Sequence, residues 1–339
     1  MNPTRTLARR LALTTAALAL AGTACSSSDG ETIRFYSGRH YDVEEAFLRF
    51  SDETGISVEF LTGTDAELRE RIAAEGDETQ ADVFLTVDAG NLAVAAQQGL
   101  FQPLDSPVLD DAIPAELRDP DDQWFALSLR ARTVVYHPDR VAADEVPDSY
   151  EELADPVWDG RLCLRNSSNV YQQSLVASLI AEHGEDEARR IVDGWADEAE
   201  ILANDVLILE SIADGLCDVG IANHYYLARL LEDDPAFPVK LHWVDQDGRG
   251  VHVNISGGGV TKYADDPDLA QRFLEWLGTD GQSIFVDGNH EYPANPTVEP
   301  EPLIAENFGV DFVRDPLNPA VFGGLNADAV RLMDEVGYR

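Results

Sequence analysis

Along the chain, short apolar runs of strand length alternate with stretches that place apolar residues three and four apart. "TIRFYSG" (32–38) reads as a strand, and "DVEEAFLRFSDETG" (42–55) as an amphipathic helix stopped by glycine. "ISVEFLTG" and "DAELRERIAAEG" repeat the pair. "ADVFLTVD" (81–88) is apolar enough for a strand buried on both faces, and the helix "AGNLAVAAQQG" follows it. This βαβαβα order predicts a mostly parallel sheet covered by helices. "WFALSLRARTVVYHP" (124–138) is a long extended run. The alternation then restarts with the strand "GRLCLRN", helices at "YQQSLVASLIAEHG", "EDEARRIVDGWAD" and "VLILESIADG", the strand "DVGIAN" and the helix "YLARLLEDD". "HVNISGGGVTK" (252–262) is a second extended run, whose three glycines suit close backbone approach or a bend. A helical region follows over 269–286. The pattern predicts an α/β fold of two lobes, joined by two extended crossover strands, with a cleft between them. Residues 32–131 and 257–310 form lobe 1, residues 132–256 lobe 2, and residues 311–339 pack on both.

The N-terminus does not belong to that pattern. Arg5, Arg9 and Arg10 precede an apolar run and small residues that end at Cys25, which marks residues 1–25 as an export signal. Small residues before a cysteine resemble a lipoprotein cleavage site, with Cys25 lipidated and residues 26–31 a polar tether. The alternative is plain secretion with an incidental cysteine. The place expected is the extracytoplasmic face of the cell membrane. In an exported protein Cys163 and Cys217 either pair as a disulfide or stand as buried thiols, and export favours the pair.

Charge narrows the partners. The whole chain carries 63 acidic against 24 basic residues, a net of −39, and loss of the signal removes three arginines and no acid. Such a surface repels nucleic acid and anionic membranes and suits high salt, where screening removes self-repulsion. No G-x-S-x-G elbow, phosphate-binding glycine loop or H-E-x-x-H helix is present. The reading is a binder and not an enzyme.

Tyrosines mark the binding chemistry. His40 and Tyr41 follow the first strand; Tyr171 stands where a strand hands over to a helix; Tyr225 and Tyr226 stand side by side at a similar handover. Neighbours in a strand face opposite ways, so two adjacent tyrosines meet one ion only where the strand turns into a helix. Phenolate is a hard anionic oxygen ligand. A free phenol titrates near pH ~10, so a highly charged cation is needed to displace its proton at neutral pH. Ca²⁺ and Mg²⁺ take carboxylates and carbonyls, while zinc and copper take imidazole and thiolate. Tyrosine-rich ligation therefore points to ferric iron.

"YSGRHYD", "WFALSLRARTVVY", "SSNVYQQSLVAS", "DVGIANHYYLARLL", "HVNISGGGVTK" and "NHEYPANP" together resemble the ferric-ion-binding proteins of bacterial ABC transporters, collinearly from about residue 32 to 296. The resemblance implies a type II periplasmic-binding-protein fold. It implies His40 and Tyr41 as iron ligands from one lobe, and Tyr171, Tyr225 and Tyr226 from the other. It also implies Fe(III) as the transported ligand, with an ABC permease and its ATPase as partners and a monomer as the working form. The chain departs from the family where 195–215 lacks a glycine-rich loop, and where His224 replaces a small polar residue and brings an extra imidazole near the site. Four phenolates and Fe³⁺ leave one net negative charge, which Arg39 and Arg132 offset, and no obligatory accompanying anion is expected. Glu291, with Tyr292, braces the ligands. The competing reading is a binder of the same fold for an organic cation or small anion, such as thiamine or a polyamine.

Overall fold

A computed structural model describes residues 31–39 and 43–339. The signal sequence, Cys25 and the proposed ligands His40 and Tyr41 lie outside the described residues.

The first alternation folds as strand β1 (Thr32–Ser37), helix α1 (Glu44–Thr54), β2 (Ser57–Thr62), α2 (Asp65–Glu75), β3 (Val83–Thr86) and α3 (Ala89–Gln97). Local chemistry sets these boundaries. Gly55 ends α1 in the left-handed conformation, φ 76°, and its N–H reaches Ser51 O. Thr64 and Glu67 cap α2 reciprocally, and the Asp88 side chain caps α3. All four residues of β3 are buried.

A short helix α4 (Pro107–Ala112) precedes the long β4 (Phe125–Tyr136). Next come β5 (Leu162–Arg165), α5 (Val170–His183), α6 (Glu185–Glu198), β6 (Ala199–Leu202), α7 (Asp205–Asp214), β7 (Val219–Asn223) and α8 (His224–Asp233). β8 (Lys240–His242) and β9 (Val253–Val260) lead into α9 (Pro267–Gly278) and α10 (Gln282–Asp287). The helical region expected over 269–286 is thus two helices. β10 (Tyr292–Pro293), α11 (Pro302–Phe308) and α12 (Ala320–Glu335) complete the described chain.

The strands run in the order β2-β1-β3-β9-β4-β7-β5-β6, with β8 and β10 also on β4. The expectation of a mostly parallel sheet holds only at the two flanks. β1 pairs in parallel with β2 and β3, and β5 with β6 and β7, whereas β9 and β4 are antiparallel to their neighbours. The physical reason is that both long runs cross the middle of the sheet as return strands rather than βαβ units. β4 pairs with β9 from Phe125 to Ala131, then with β7 from Arg132 to Tyr136. The glycines of β9 serve close packing. A Cβ on Gly259 would lie 2.3 Å from Gln123 O, and one on Gly257 2.7 Å from Phe125 O.

Two ties cross the fold. A disulfide joins Cys163 of β5 to Cys217 just before β7, with a Cα–Cα distance of 5.8 Å across 54 residues of sequence. Closing a loop of that length restricts the unfolded chain. α12 lies against both α3 and α5. It approaches α3 where Gly323 meets Gly90, and Asn326 Nδ2 donates to Gln173 Oε1 of α5 at 2.9 Å.

Candidate metal centre

Three of the five proposed iron ligands are described, and all three sit at helix N-termini that follow strands. Asn169 caps α5 by accepting the Tyr171 N–H at 2.9 Å, which sets Tyr171 in the first turn. α8 begins at His224, directly after β7 and two residues earlier than the sequence pattern placed it. Tyr225 and Tyr226 therefore stand about 100° apart around a helix, not on opposite faces of a strand. Their ring centroids are 4.3 Å apart at 36°. Tyr225 is fully buried, Tyr171 nearly so, and Tyr226 partly.

A buried carboxylate organises this trio. Asp205, the first residue of α7, accepts from Arg132 Nη1 at 2.6 Å, from the Asn223 N–H at 2.9 Å and from Arg165. Each partner leads to a tyrosine. Arg132 Nη2 donates to Gln172 Oε1 at 3.0 Å, beside Tyr171. Asn223 Nδ2 approaches the Tyr225 hydroxyl at 3.4 Å. The Tyr226 side chain lies near enough to Arg165 to favour its charged form, and the Arg165 guanidinium lies 5.4 Å from the Tyr171 ring centroid. Arg165 thus links Tyr171 to Tyr226. Burial alone would push the Asp205 carboxyl up, but Arg132 and Arg165 outweigh it and hold it below the ordinary carboxylate range.

Arg130 supplies another cation. Its Nη1 donates to the Tyr171 hydroxyl at 3.3 Å and its Nη2 to Ile255 O at 2.6 Å. Arg229 of α8 stands over both neighbouring rings, 5.6 Å from the Tyr225 centroid and 5.9 Å from that of Tyr226. Guanidinium groups so placed favour the charged form of a neighbouring phenol. Sequence reasoning chose Arg132 for that task and missed Arg130 and Arg165. Arg130 had a signal: it stands two residues from Arg132 and so on the same face of a buried strand.

Arg39 and Glu291 pair with each other, both fully buried, with Arg39 Nη1 3.0 Å from Glu291 Oε2. Arg39 Nη2 also donates to Phe285 O at 2.6 Å, and Ser128 Oγ donates to Glu291. Burial works against the Glu291 charge, and Arg39 and Arg130 overcome it, so its carboxyl is lowered. Arg39 immediately precedes His40 in the chain.

His224, expected to bring an extra imidazole near the site, has its ring 5.9 Å from that of Tyr225 but turned into the core. It is fully buried, its Nδ1 accepts the Ala131 N–H at 3.2 Å, and its ring packs on Tyr292 at 4.9 Å. Burial pushes its pKa down to about 4, so it is neutral. It is a packing group behind Tyr225.

A cleft of about 800 Å³ opens at Tyr171, lined on that side by Ser168 and Asn169 and opposite by Gly38, Thr64, Asp65 and Val87. A Cβ on Gly38 would lie 1.5 Å from Asp65 Oδ1, so any larger residue would displace the Asp65 carboxyl. Asp65 Oδ2 accepts the Val87 N–H at 3.1 Å. Burial, with the Asp88 charge adding to it, pushes the Asp65 carboxyl up to about 7. An unfolded aspartate titrates near ~3.9, so between there and about pH 7 the native state binds the extra proton. This group's contribution is therefore most favourable below pH ~4 and is lost as pH rises toward 7. Asp65→Asn should lose less stability than the wild type between pH 5 and pH 8 in urea unfolding. Equal losses would refute the assignment.

Among the described residues, no three His, Cys, Asp or Glu side chains converge in a way that could hold a metal. The donors gathered here are phenols. The bacterial extracellular solute-binding protein family matches residues 78–309. The chain belongs to that family. This solute-binding protein is 40% identical over 321 residues to iron uptake protein A1 of Synechocystis, covering 91% of this chain and 88% of that one. It is 27% identical to the major ferric iron-binding protein of Neisseria meningitidis serogroup B, over 85% of this chain and 87% of the other. Among solved structures it is similar to the Trichodesmium protein IdiA (FutA) in complex with iron and citrate. That match has a TM-score of 0.86 and 41% identity, covering 91% of this chain and 100% of that one. The fold is accordingly the mixed α/β type II binding-protein fold, and the family places the protein outside the cytoplasm.

Proposed function

We propose that this protein captures ferric iron in its cleft and delivers it to the permease of an ABC importer. It is a binding subunit and not an enzyme. The observation that carries the reading is the convergence of Tyr171, Tyr225 and Tyr226 around Arg165 and Asp205, at the ends of two helices. In this reading Tyr171, Tyr225 and Tyr226 bind iron from lobe 2, and His40 and Tyr41 complete the shell from lobe 1. The partner change of β4 between Ala131 and Arg132 supports a hinge at that point. Four phenolates and nearby arginines satisfy the ion's charge without an obligatory anion. Lipid on Cys25 holds the monomer at the membrane, beside the permease.

Calorimetric titration separates this from an organic-solute binder of the same fold. Ferric citrate should bind, and thiamine and spermidine should give no heat of binding. Saturable thiamine or spermidine binding with none for ferric citrate would overturn the proposal.

A further inference from the structure

Three consecutive side chains after α10 reach in two directions. Asn289 Oδ1 accepts from Arg229 of α8, while Asn289 Nδ2 donates to Glu291 Oε1. His290 places Nε2 3.3 Å from Glu232 Oε2 of α8 and sets Nδ1 against Glu301. Glu291 turns the other way, to Arg39 and Ser128. Arg229 and Glu232 are three residues apart and share one face of α8. The turn therefore grips the helix that carries Tyr225 and Tyr226 at two points. It also grips Arg39, the residue before His40.

Asn289 is the centre of this clasp. An amide has one acceptor oxygen and a donor nitrogen, so it joins a guanidinium on one side to a carboxylate on the other. Aspartate here would repel Glu291, and an apolar side chain would join neither. Asn289 is fully buried, as is Glu291, so neither group can exchange its partner for water without moving.

We infer that Asn289, with Arg229 and Glu291 at its ends, is a positioning residue that ties α8, the helix carrying Tyr225 and Tyr226, to Arg39 and sets the rate at which bound iron leaves. The inference rests on the ferric-iron reading. Drawing α8 away from Arg39 requires this chain of charge-assisted hydrogen bonds to part, and such bonds are the stronger ones. Breaking it in advance leaves the tyrosines in place but removes what holds the segments together. Groups that orient metal ligands typically change affinity 10- to 100-fold when replaced, so a release rate faster by about that factor is expected.

The test uses the full mature protein loaded with ferric citrate. Tyrosinate-to-iron absorption is recorded first, and iron transfer to excess EDTA is then followed by stopped-flow. Asn289→Leu should keep the band and release iron about 10 to 100 times faster. Asn289→Ala should do the same, guarding against misfolding caused by the bulk of leucine. A band with wild-type release in both single variants would overturn the clasp alone. No band in the wild type would overturn the iron reading and the clasp with it. A merely structural role would lower the melting temperature of the iron-free protein and leave the release rate unchanged.

Discussion

Tyr226→Phe weakens ferric-iron binding by more than about 100-fold, because replacing a group that only orients a ligand already costs 10- to 100-fold. Phenylalanine keeps the ring and its 4.3 Å packing on Tyr225, and removes only the oxygen. Folding should therefore be nearly unchanged. Tyr225→Phe behaves alike, with a small added cost from the contact between its hydroxyl and Asn223 Nδ2. The double variant should hold no ferric iron against citrate. Competition with a chelator of known strength measures the affinity, and thermal unfolding checks the fold. Wild-type affinity in both single variants would show that the pair is packing and that the cleft binds something else.

The second large effect is on folding. Asp205→Asn should cost about 3–5 kcal/mol, the usual result of removing one partner from a buried ion pair. Asp205 has no exposed surface and accepts from two guanidiniums and a backbone N–H, so the change leaves Arg132 and Arg165 without their anion. Iron binding should fall as well, because Arg165 then loses the anchor that holds it against Tyr226 and Tyr171. The pH dependence has a definite sign. The carboxyl is held below its ordinary value, so its contribution is present above pH ~4 and is lost as the pH falls through the lowered native value. Urea unfolding at pH 7 and again near pH 3 measures both claims. A loss below about 1 kcal/mol at pH 7 would mean that water or another acid takes over the guanidiniums.

Much of this arrangement was legible in the chain. Periodicity and capping residues give α1, α2, α3 and α5 to within two residues, because Thr64, Asp88 and Asn169 act locally. The strand-to-helix handover at the tyrosine pair was legible in the sequence, and β7 and α8 meet there without a gap. Other features depend on distant partners and leave no local trace. The short strands β6, β8 and β10 exist only through pairing with strands elsewhere in the chain. Asp205 is one acid among 63, and nothing nearby in sequence marks it as the one that is buried between two arginines. Arg132, expected from the sequence to offset phenolate charge, bonds Asp205 and Gln172, while Arg130 meets Tyr171. His224 shows the converse. Its sequence position beside two tyrosines implied chemistry, but one step around the helix turns it into the core against Tyr292.

The most direct test of the central claim is a visible absorption spectrum of the purified mature protein, before and after addition of ferric citrate, beside the Tyr225→Phe/Tyr226→Phe double variant. The account predicts a broad tyrosinate-to-iron charge-transfer band in the wild type, seen as an orange or red colour, and its loss in the variant. A wild type that stays colourless, or a variant that develops the same band, would contradict it.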